Sequence, residues 1–354
     1  MAGKSLDVDS RDAGPVAVTN SWRPDSAALR NSNLEQTALA EASLQLAVDI
    51  TLNSMGIPTR SDSSLPFAVL GLGRLGHSGM DYGSDLDLLM VFDDHSDWPP
   101  SSLNANELTL PASPQEFYAS LTTQLVRVLS SVTREGFLYR IDLRLRPDGQ
   151  SGPAAQGLTS LSTYLRDRAS AWEHSAYLKV REVAGDLALG ARAREAICQA
   201  SFESAGKNPS LKEELAHVRA RLEREKARGN QRDIKWGPGG MTDVYFITRY
   251  LQLRHHVIFP TDKGTTALIS HLGEAGYLES SQARVLLDGY GYLRRLDHWI
   301  RLLLDRPSPI LPSSDVALAD IARAMSLKST AELEQEYTHY TAAIRDLFSS
   351  VFSI

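Results

Sequence analysis

The 354-residue sequence contains a single cysteine, Cys198. That excludes an internal disulfide framework and any Cys-x-x-Cys metal site, and it fits a reducing compartment, so a cytoplasmic protein is expected. Long hydrophobic runs are missing too. No stretch approaches the roughly 18 apolar residues of a membrane span, and the first residues, MAGKSLDVDSRDAGPVAVTNSW, lack the apolar core of a signal peptide. There is no excess of basic charge: 37 Lys and Arg stand against 43 Asp and Glu, for a net charge of −6. Aromatics make up only 7%, and no segment interleaves them with basic residues. A nucleic-acid partner is therefore not expected. No internal repeat is visible.

With 42% hydrophobic and 23% charged residues, the composition is that of a globular chain, long enough for one large or two ordinary domains. Residues 1–33 are polar and read as a disordered arm or linker. LEQTALAEASLQLAVDITLNSM, residues 34–55, reads as an amphipathic helix stopped at Gly56. FAVLGLG enters a glycine-rich turn as a strand, and DLDLLMVF, residues 85–92, is the next strand. Residues 93–112 form a long loop. A helix follows from Ser113, with Ser113 and Glu116 as a capping box, Pro114 at its first position, and an apolar stripe of Phe117, Leu121, Leu125, Val128 and Leu129. FLYRIDLRLRP, residues 137–147, alternates cleanly, predicting a strand with Tyr139, Ile141, Leu143 and Leu145 on one side. Beyond it, helices are predicted over 157–205, 210–229, 241–256, 263–304 and 315–352. The expected fold is α+β: a mixed sheet packed by helices over residues 34–165, then an all-α bundle over 166–354.

The chemistry is concentrated in GLGRLGHSGMDYGSDLDLLMVFDD, residues 71–94. Asp85 and Asp87, two apart on a strand, point to the same face, while Leu86, Leu88 and Met90 point into the core. Two carboxylates this close stay ionised together only beside a cation, and Mg²⁺, with its preference for oxygen ligands, suits them. Gly83 and Ser84 can bring backbone N–H groups to a phosphate, with a simple tight turn as the plain alternative. Asp142 lies mid-strand among arginines. If its strand pairs beside residues 85–92, three carboxylates meet and can hold two metal ions. Arg144 and Arg146 can then neutralise phosphate oxygens.

This order of elements resembles the DNA-polymerase-β-like nucleotidyltransferases. More closely, it resembles the glutamine synthetase adenylyltransferase family. The family pattern G-K-L-G-G-x-E-L-x-Y-x-S-D-L-D runs here from Gly73 to Asp87. D-x-R-L-R-P-x-G-x-x-G is met by Asp142, Arg144, Leu145, Arg146, Pro147, Gly149 and Gly152. The W-E-H segment is met by Trp172, Glu173 and His174, followed by Ala176 and Arg181. The I-K-x-x-x-G-G-x-x-D-x-E-F motif is met by Ile234, Lys235, Gly239, Gly240, Asp243 and Phe246. The likeness spans residues 67–256 and is to one half of a two-half enzyme, closer to the C-terminal, adenylylating half. Departures from it include Arg74 for Lys, His77 for Gly, Gly79 for Glu and Tyr245 for Glu.

The resemblance implies ATP as substrate, two Mg²⁺ ions, and transfer of AMP to a tyrosine of glutamine synthetase, with a PII-type signalling protein as a further partner. It implies catalytic and metal roles for Asp85, Asp87 and Asp142, and nucleotide binding by Gly73, Arg74, Gly83, Ser84, Arg144, Arg146 and Lys235. Two alternatives stay open: phosphorolytic removal of AMP, as in the homologous half, and a catalytically weak regulatory module that binds nucleotide or protein. Elsewhere, Asp243 reads as a first-turn helix residue, Trp172 and His174 as packing, Cys198 as core, and residues 219–232 as a solvated helix face.

Overall fold

The computed structural model describes residues 25–57, 65–100, 103, 110–304 and 308–353. A long helix α1 (Asp25–Ser54) leads into strand β1 (Phe67–Gly71), a one-turn helix α2 (Gly73–Gly76) and strand β2 (Leu86–Phe92). Helix α3 (Pro114–Ser130), the two-residue strand β3 (Ile141–Asp142) and strand β4 (Ala155–Gly157) follow. Helices α4 (Leu158–Asp167) and α5 (Ala171–Tyr177) precede strand β5 (Arg181–Gly185) and helix α6 (Leu187–Lys207). The rest is helical: α7 (Leu211–Leu222), α8 (Met241–Arg254), α9 (Gly264–Glu274), α10 (Ser280–Leu304), α11 (Asp315–Ala324) and α12 (Thr330–Phe352). Among the described residues no helix is long and apolar enough to cross a membrane.

The sheet is mixed, as expected. β1 lies antiparallel between β2 and β5, while β3 and then β4 pair in parallel along the other edge of β2. β2 is apolar at successive positions because both its faces are covered. Leu86, Leu88 and Met90 pack with Leu44 and Val48 of α1 and with Phe117 and Leu121 of α3. Leu89 and Val91 pack on the opposite side with Leu161 of α4 and Ile197 of α6. α3 forms as its signals dictate: the Ser113 hydroxyl accepts from the Glu116 N–H at 3.2 Å, Pro114 occupies the first turn, and Phe117, Leu121, Leu125 and Leu129 are buried. Val128 turns outward.

Three expectations need correction. α1 already begins at Asp25, so residues 25–33 are helix and not arm; residues 1–24 lie outside the described set. The strand expected over 137–147 shrinks to Ile141–Asp142. Its alternation is broken by a turn: Tyr139, Ile141 and Leu143 pack on the α1–α3 side, whereas Leu145 packs on the α4–α6 side. Finally, the helix expected across 157–205 is interrupted by β5. Leu70 and Val69 of β1 pair with Glu182 and Ala184, so the sheet takes in residues well past the division expected at 165/166. A separate apolar cluster joins α7, α8, α9, α10, α11 and α12.

Arg219 is also not part of a solvated face. It is fully buried, and its guanidinium is held by the Asp243 carboxylate, by Glu223 at 3.0 Å and by the Gly237 carbonyl at 2.9 Å. Asp243, read from sequence as favouring a helix start, is the buried partner of this pair.

Candidate active site

The glycine-rich turn and the paired strands β2 and β3 bring the predicted carboxylates together. In the parallel pairing of β2 and β3, Asp87 stands opposite Asp142, and Asp85 precedes the strand. The turn is built around Asp87. Gly73 has φ +53°, and a Cβ there would lie 1.9 Å from Asp87 Oδ2, so only glycine lets the carboxylate rest against the turn. The Leu72 N–H donates to the Asp87 carbonyl at 2.8 Å, which locks turn and strand together. Gly76 is needed for a second close approach: a Cβ there would lie 1.9 Å from the Lys179 carbonyl.

The three carboxylates differ in environment. Asp85 is exposed; Asp87 is half-buried. Burial first, then repulsion from Asp142, pushes the Asp87 carboxyl up to about 6. Burial opposes ionisation of Asp142 as well, but Arg144 outweighs it and holds that carboxyl below its usual value. The Arg144 N–H and Nε both donate to Asp142 Oδ1, at 2.8 and 3.0 Å, and Nη2 contacts Oδ2. Among the described residues no group of three or more His, Cys, Asp or Glu side chains is arranged to hold a metal ion. The cause is local: Asp142 faces Arg144 and Asp85 faces solvent. The donor set nevertheless suits a hard divalent cation. Asp87 is a carboxyl raised by burial and then by Asp142, in a cradle that a Cβ would fill.

The expected nucleotide-binding residues divide into two groups. Arg74 is engaged: its Nη2 meets Asp297 of α10 at 2.5 Å, and Nη1 lies 3.8 Å from Asp81. Asp297 also holds Arg301 at 3.2 Å and Arg294 at 3.6 Å, while Asp81 takes His298 at 2.9 Å. Arg146 is engaged too, as a main-chain brace that donates to the carbonyls of Leu143, Gln150 and Gly152 at 3.0–3.1 Å. Gly83 (φ +63°) and Ser84 form the turn that follows Asp81; the Ser84 hydroxyl accepts from the Asp81 N–H at 3.1 Å. Arg144 is exposed except for its Asp142 contacts.

Lys235 reaches the site from the loop before α8. The N–H groups of Lys235 and Trp236 donate to Asp233 Oδ1 at 2.9 and 2.7 Å, and the ammonium lies 4.6 Å from the Trp236 ring centroid. Lys235 is exposed at the surface, yet local desolvation and then Arg74 lower its pKa, while Asp297 and Asp87 oppose them. Sequence reasoning missed a second lysine, Lys179, which comes from the turn before β5. Its ammonium sits 4.6 Å from the Tyr245 ring centroid. Burial, then Arg249, push its pKa well down, with Asp87 opposing. The only available signal was its place in the WEHSAYLKVR segment. Tyr245 itself shares a hydrogen bond of 3.1 Å with Ser175, and burial raises its pKa.

Comparison with known proteins places this geometry. Residues 20–196 match the family model of glutamate-ammonia ligase adenylyltransferase, and residues 212–352 match that of PII-uridylyltransferase. Three relatives share the name bifunctional glutamine synthetase adenylyltransferase/adenylyl-removing enzyme. The protein of Xanthobacter autotrophicus is 33% identical over 80% of this chain and 28% of its own length. That of Chromobacterium violaceum is 34% identical over 74% of this chain and 28% of its own. That of Rhizobium meliloti is 28% identical over 88% of this chain and 32% of its own. The chain thus spans about a third of the length of these relatives. With half of it covered by one family model, and with the turn, the paired aspartates and Asp142 in place, the chain belongs to the glutamate-ammonia ligase adenylyltransferase family.

Proposed function

We propose that the chain transfers AMP from ATP to a tyrosine hydroxyl of glutamine synthetase and releases pyrophosphate. The observation that carries this reading is the meeting of Asp87 and Asp142 across β2–β3, with Asp85 two residues before Asp87. In this reaction the tyrosine oxygen forms a bond to the α-phosphorus, the bond from that phosphorus to the bridging oxygen breaks, and pyrophosphate leaves. Asp85, Asp87 and Asp142 would hold Mg²⁺ ions. Bound there, the metal supplies Lewis-acid stabilisation of charge on the attacking and leaving oxygens. Without metal the Asp87 carboxyl lies at about 6, so it is mostly ionised at neutral pH and open to a cation; one of the three carboxylates would also help to take the tyrosine proton. Gly73 keeps the turn close, Gly83 offers a backbone N–H group and Ser84 its hydroxyl, and Lys235 and Arg144 contribute positive charge toward the phosphates. Arg74 and Arg146 act indirectly, by fixing the glycine turn and the 143–152 loop.

The relatives' names carry both adenylylation and its removal, so phosphorolytic removal of AMP is the second reading. Tyr245 favours a third, a regulatory module with weak turnover, because a neutral ring stands where the family pattern has a carboxylate. The match over residues 212–352 supports a PII-type protein as a further partner. The cytoplasm is the compartment in which these partners would be met. The deciding experiment incubates the chain with Mg²⁺, α-labelled ATP and glutamine synthetase, beside the double variant Asp85→Asn/Asp87→Asn. Label on the synthetase that vanishes in the variant supports adenylylation. Label that leaves adenylylated synthetase as ADP in the presence of phosphate supports removal. Binding of ATP with neither outcome supports the regulatory module.

A further inference from the structure

Three arginines among the described residues are buried: Arg219, Arg249 and Arg294. Arg219 faces Asp243, and Arg294 lies near Asp297 and Asp81. Arg249, only 5% exposed, faces no carboxylate: its Nη1 donates to the Gln252 side-chain carbonyl, and its Nε has no hydrogen-bond partner. A buried guanidinium left without an anion is costly, and its retention asks for a partner that comes and goes.

Lys179 lies within reach of its charge. Tyr245 and Arg249 are one turn apart on α8 and share a face. The Lys179 ammonium lies over the Tyr245 ring on that face, and its carbonyl is pressed against Gly76 of the glycine turn. The Tyr245 hydroxyl is taken up by Ser175 and brings no charge. His77, buried beside the same lysine, is kept neutral by desolvation and by Lys179. Other charges acting on Lys179 are Lys235 and Arg74, both cationic, and Asp87, the single carboxylate among them.

We infer that Lys179 and Arg249 form a subsite for one tetrahedral phosphate-class dianion, bound without a metal. The guanidinium offers planar donors and the ammonium a movable point charge, which together match a doubly charged oxyanion. The binding claim stands by itself. Its use, as the berth of inorganic phosphate for AMP removal or of the terminal phosphates of a bound nucleotide, rests on the adenylyl-transfer reading.

The test is calorimetric titration of the whole chain, without metal and at fixed ionic strength, with inorganic phosphate and separately with pyrophosphate. The proteins are wild type, Lys179→Met and Asp87→Asn. Methionine keeps the stem that packs on Tyr245, and thermal unfolding checks that each variant is folded. Phosphate binding weakened at least about tenfold in Lys179→Met, and unchanged or tighter in Asp87→Asn, supports a free-phosphate subsite. The same pattern with pyrophosphate alone supports the subsite and assigns it to the nucleotide's terminal phosphates. Equal binding by wild type and Lys179→Met, or binding of neither anion by wild type, overturns the inference and leaves Arg249 a structural residue. Because no metal or acceptor is present, a chain that fails to transfer AMP can still pass this test, so the two readings fail separately.

Discussion

Asp87 and Asp142 face each other across a two-residue parallel pairing, and the electrostatics of the site follow from that registration. One carboxyl is raised to about 6 while the other is held down by Arg144. The pair therefore titrates as two unlike halves, and each half has a measurable consequence.

For Asp87 the folded value lies above the ordinary 3.8. Folding thus binds the proton more tightly. The stability tied to protonation is complete below about pH 4 and is lost as pH rises through about 6. In metal-free buffer, Asp87→Asn should stabilise the chain by about 1–3 kcal/mol at pH 8 and by nothing measurable at pH 4. Urea titrations at the two pH values check this. An equal gain at both would show that the gain does not come from removing a buried, repelled charge. Magnesium should stabilise the wild type at pH 8 and not the variant.

Gly73→Ala should remove AMP transfer while the protein stays folded. The new Cβ meets Asp87 Oδ2 at 1.9 Å, and φ +53° strains any side chain. A cost of about 1–3 kcal/mol is expected, with kcat falling further than stability explains. Retention of full turnover would mean that the Asp87 carboxylate need not sit where the structure places it.

Asp297→Asn should destabilise the chain by about 3–5 kcal/mol, the range for breaking a buried ion pair. It leaves Arg74, Arg294 and Arg301 without their shared anion. Burial works against the Asp297 charge, yet the three guanidinium groups hold its pKa far below the ordinary value. Its stabilisation is therefore present above about pH 4 and is lost as pH falls through the folded value. Chemical unfolding of wild type and variant should converge on acidification; a gap that persists at low pH would point to packing and not charge.

Arg144→Ala and Arg146→Ala should separate. Arg144 is 69% exposed, so its ion pair contributes under about 1 kcal/mol and unfolding should hardly change. A several-fold rise in KM for ATP is expected, and an unchanged KM would reduce Arg144 to a support for Asp142. Arg146→Ala loses three main-chain hydrogen bonds and should cost about 1–3 kcal/mol. The melting temperature ranks the two variants directly.

Much of the sheet was legible because its signals are local. The run LeuLeuMetValPhe at 88–92, the Ser113 cap and the Gly56 stop each need only neighbouring residues to act. The failures came where partners are distant. The alternation of residues 137–147 mimics a strand, but Arg146 folds its second half into a turn by reaching carbonyls at 150 and 152. β5 carries Arg181 and Glu182, which suit a helix equally well until β1 offers it an edge. The approach of Asp87 to Asp142 was legible through spacing and order of elements. Lys179 was not, because nothing beside it in the chain reports that Tyr245 and Arg249 approach from α8.

The contact between Arg74 and Asp297 joins the glycine turn to a helix more than two hundred positions later. A shortened version ending after α6 would keep every strand and all three site aspartates yet strand a cation beneath the turn that cradles Asp87. α10 thus works as a handle on the turn, because the cation that braces the turn is anchored to that helix.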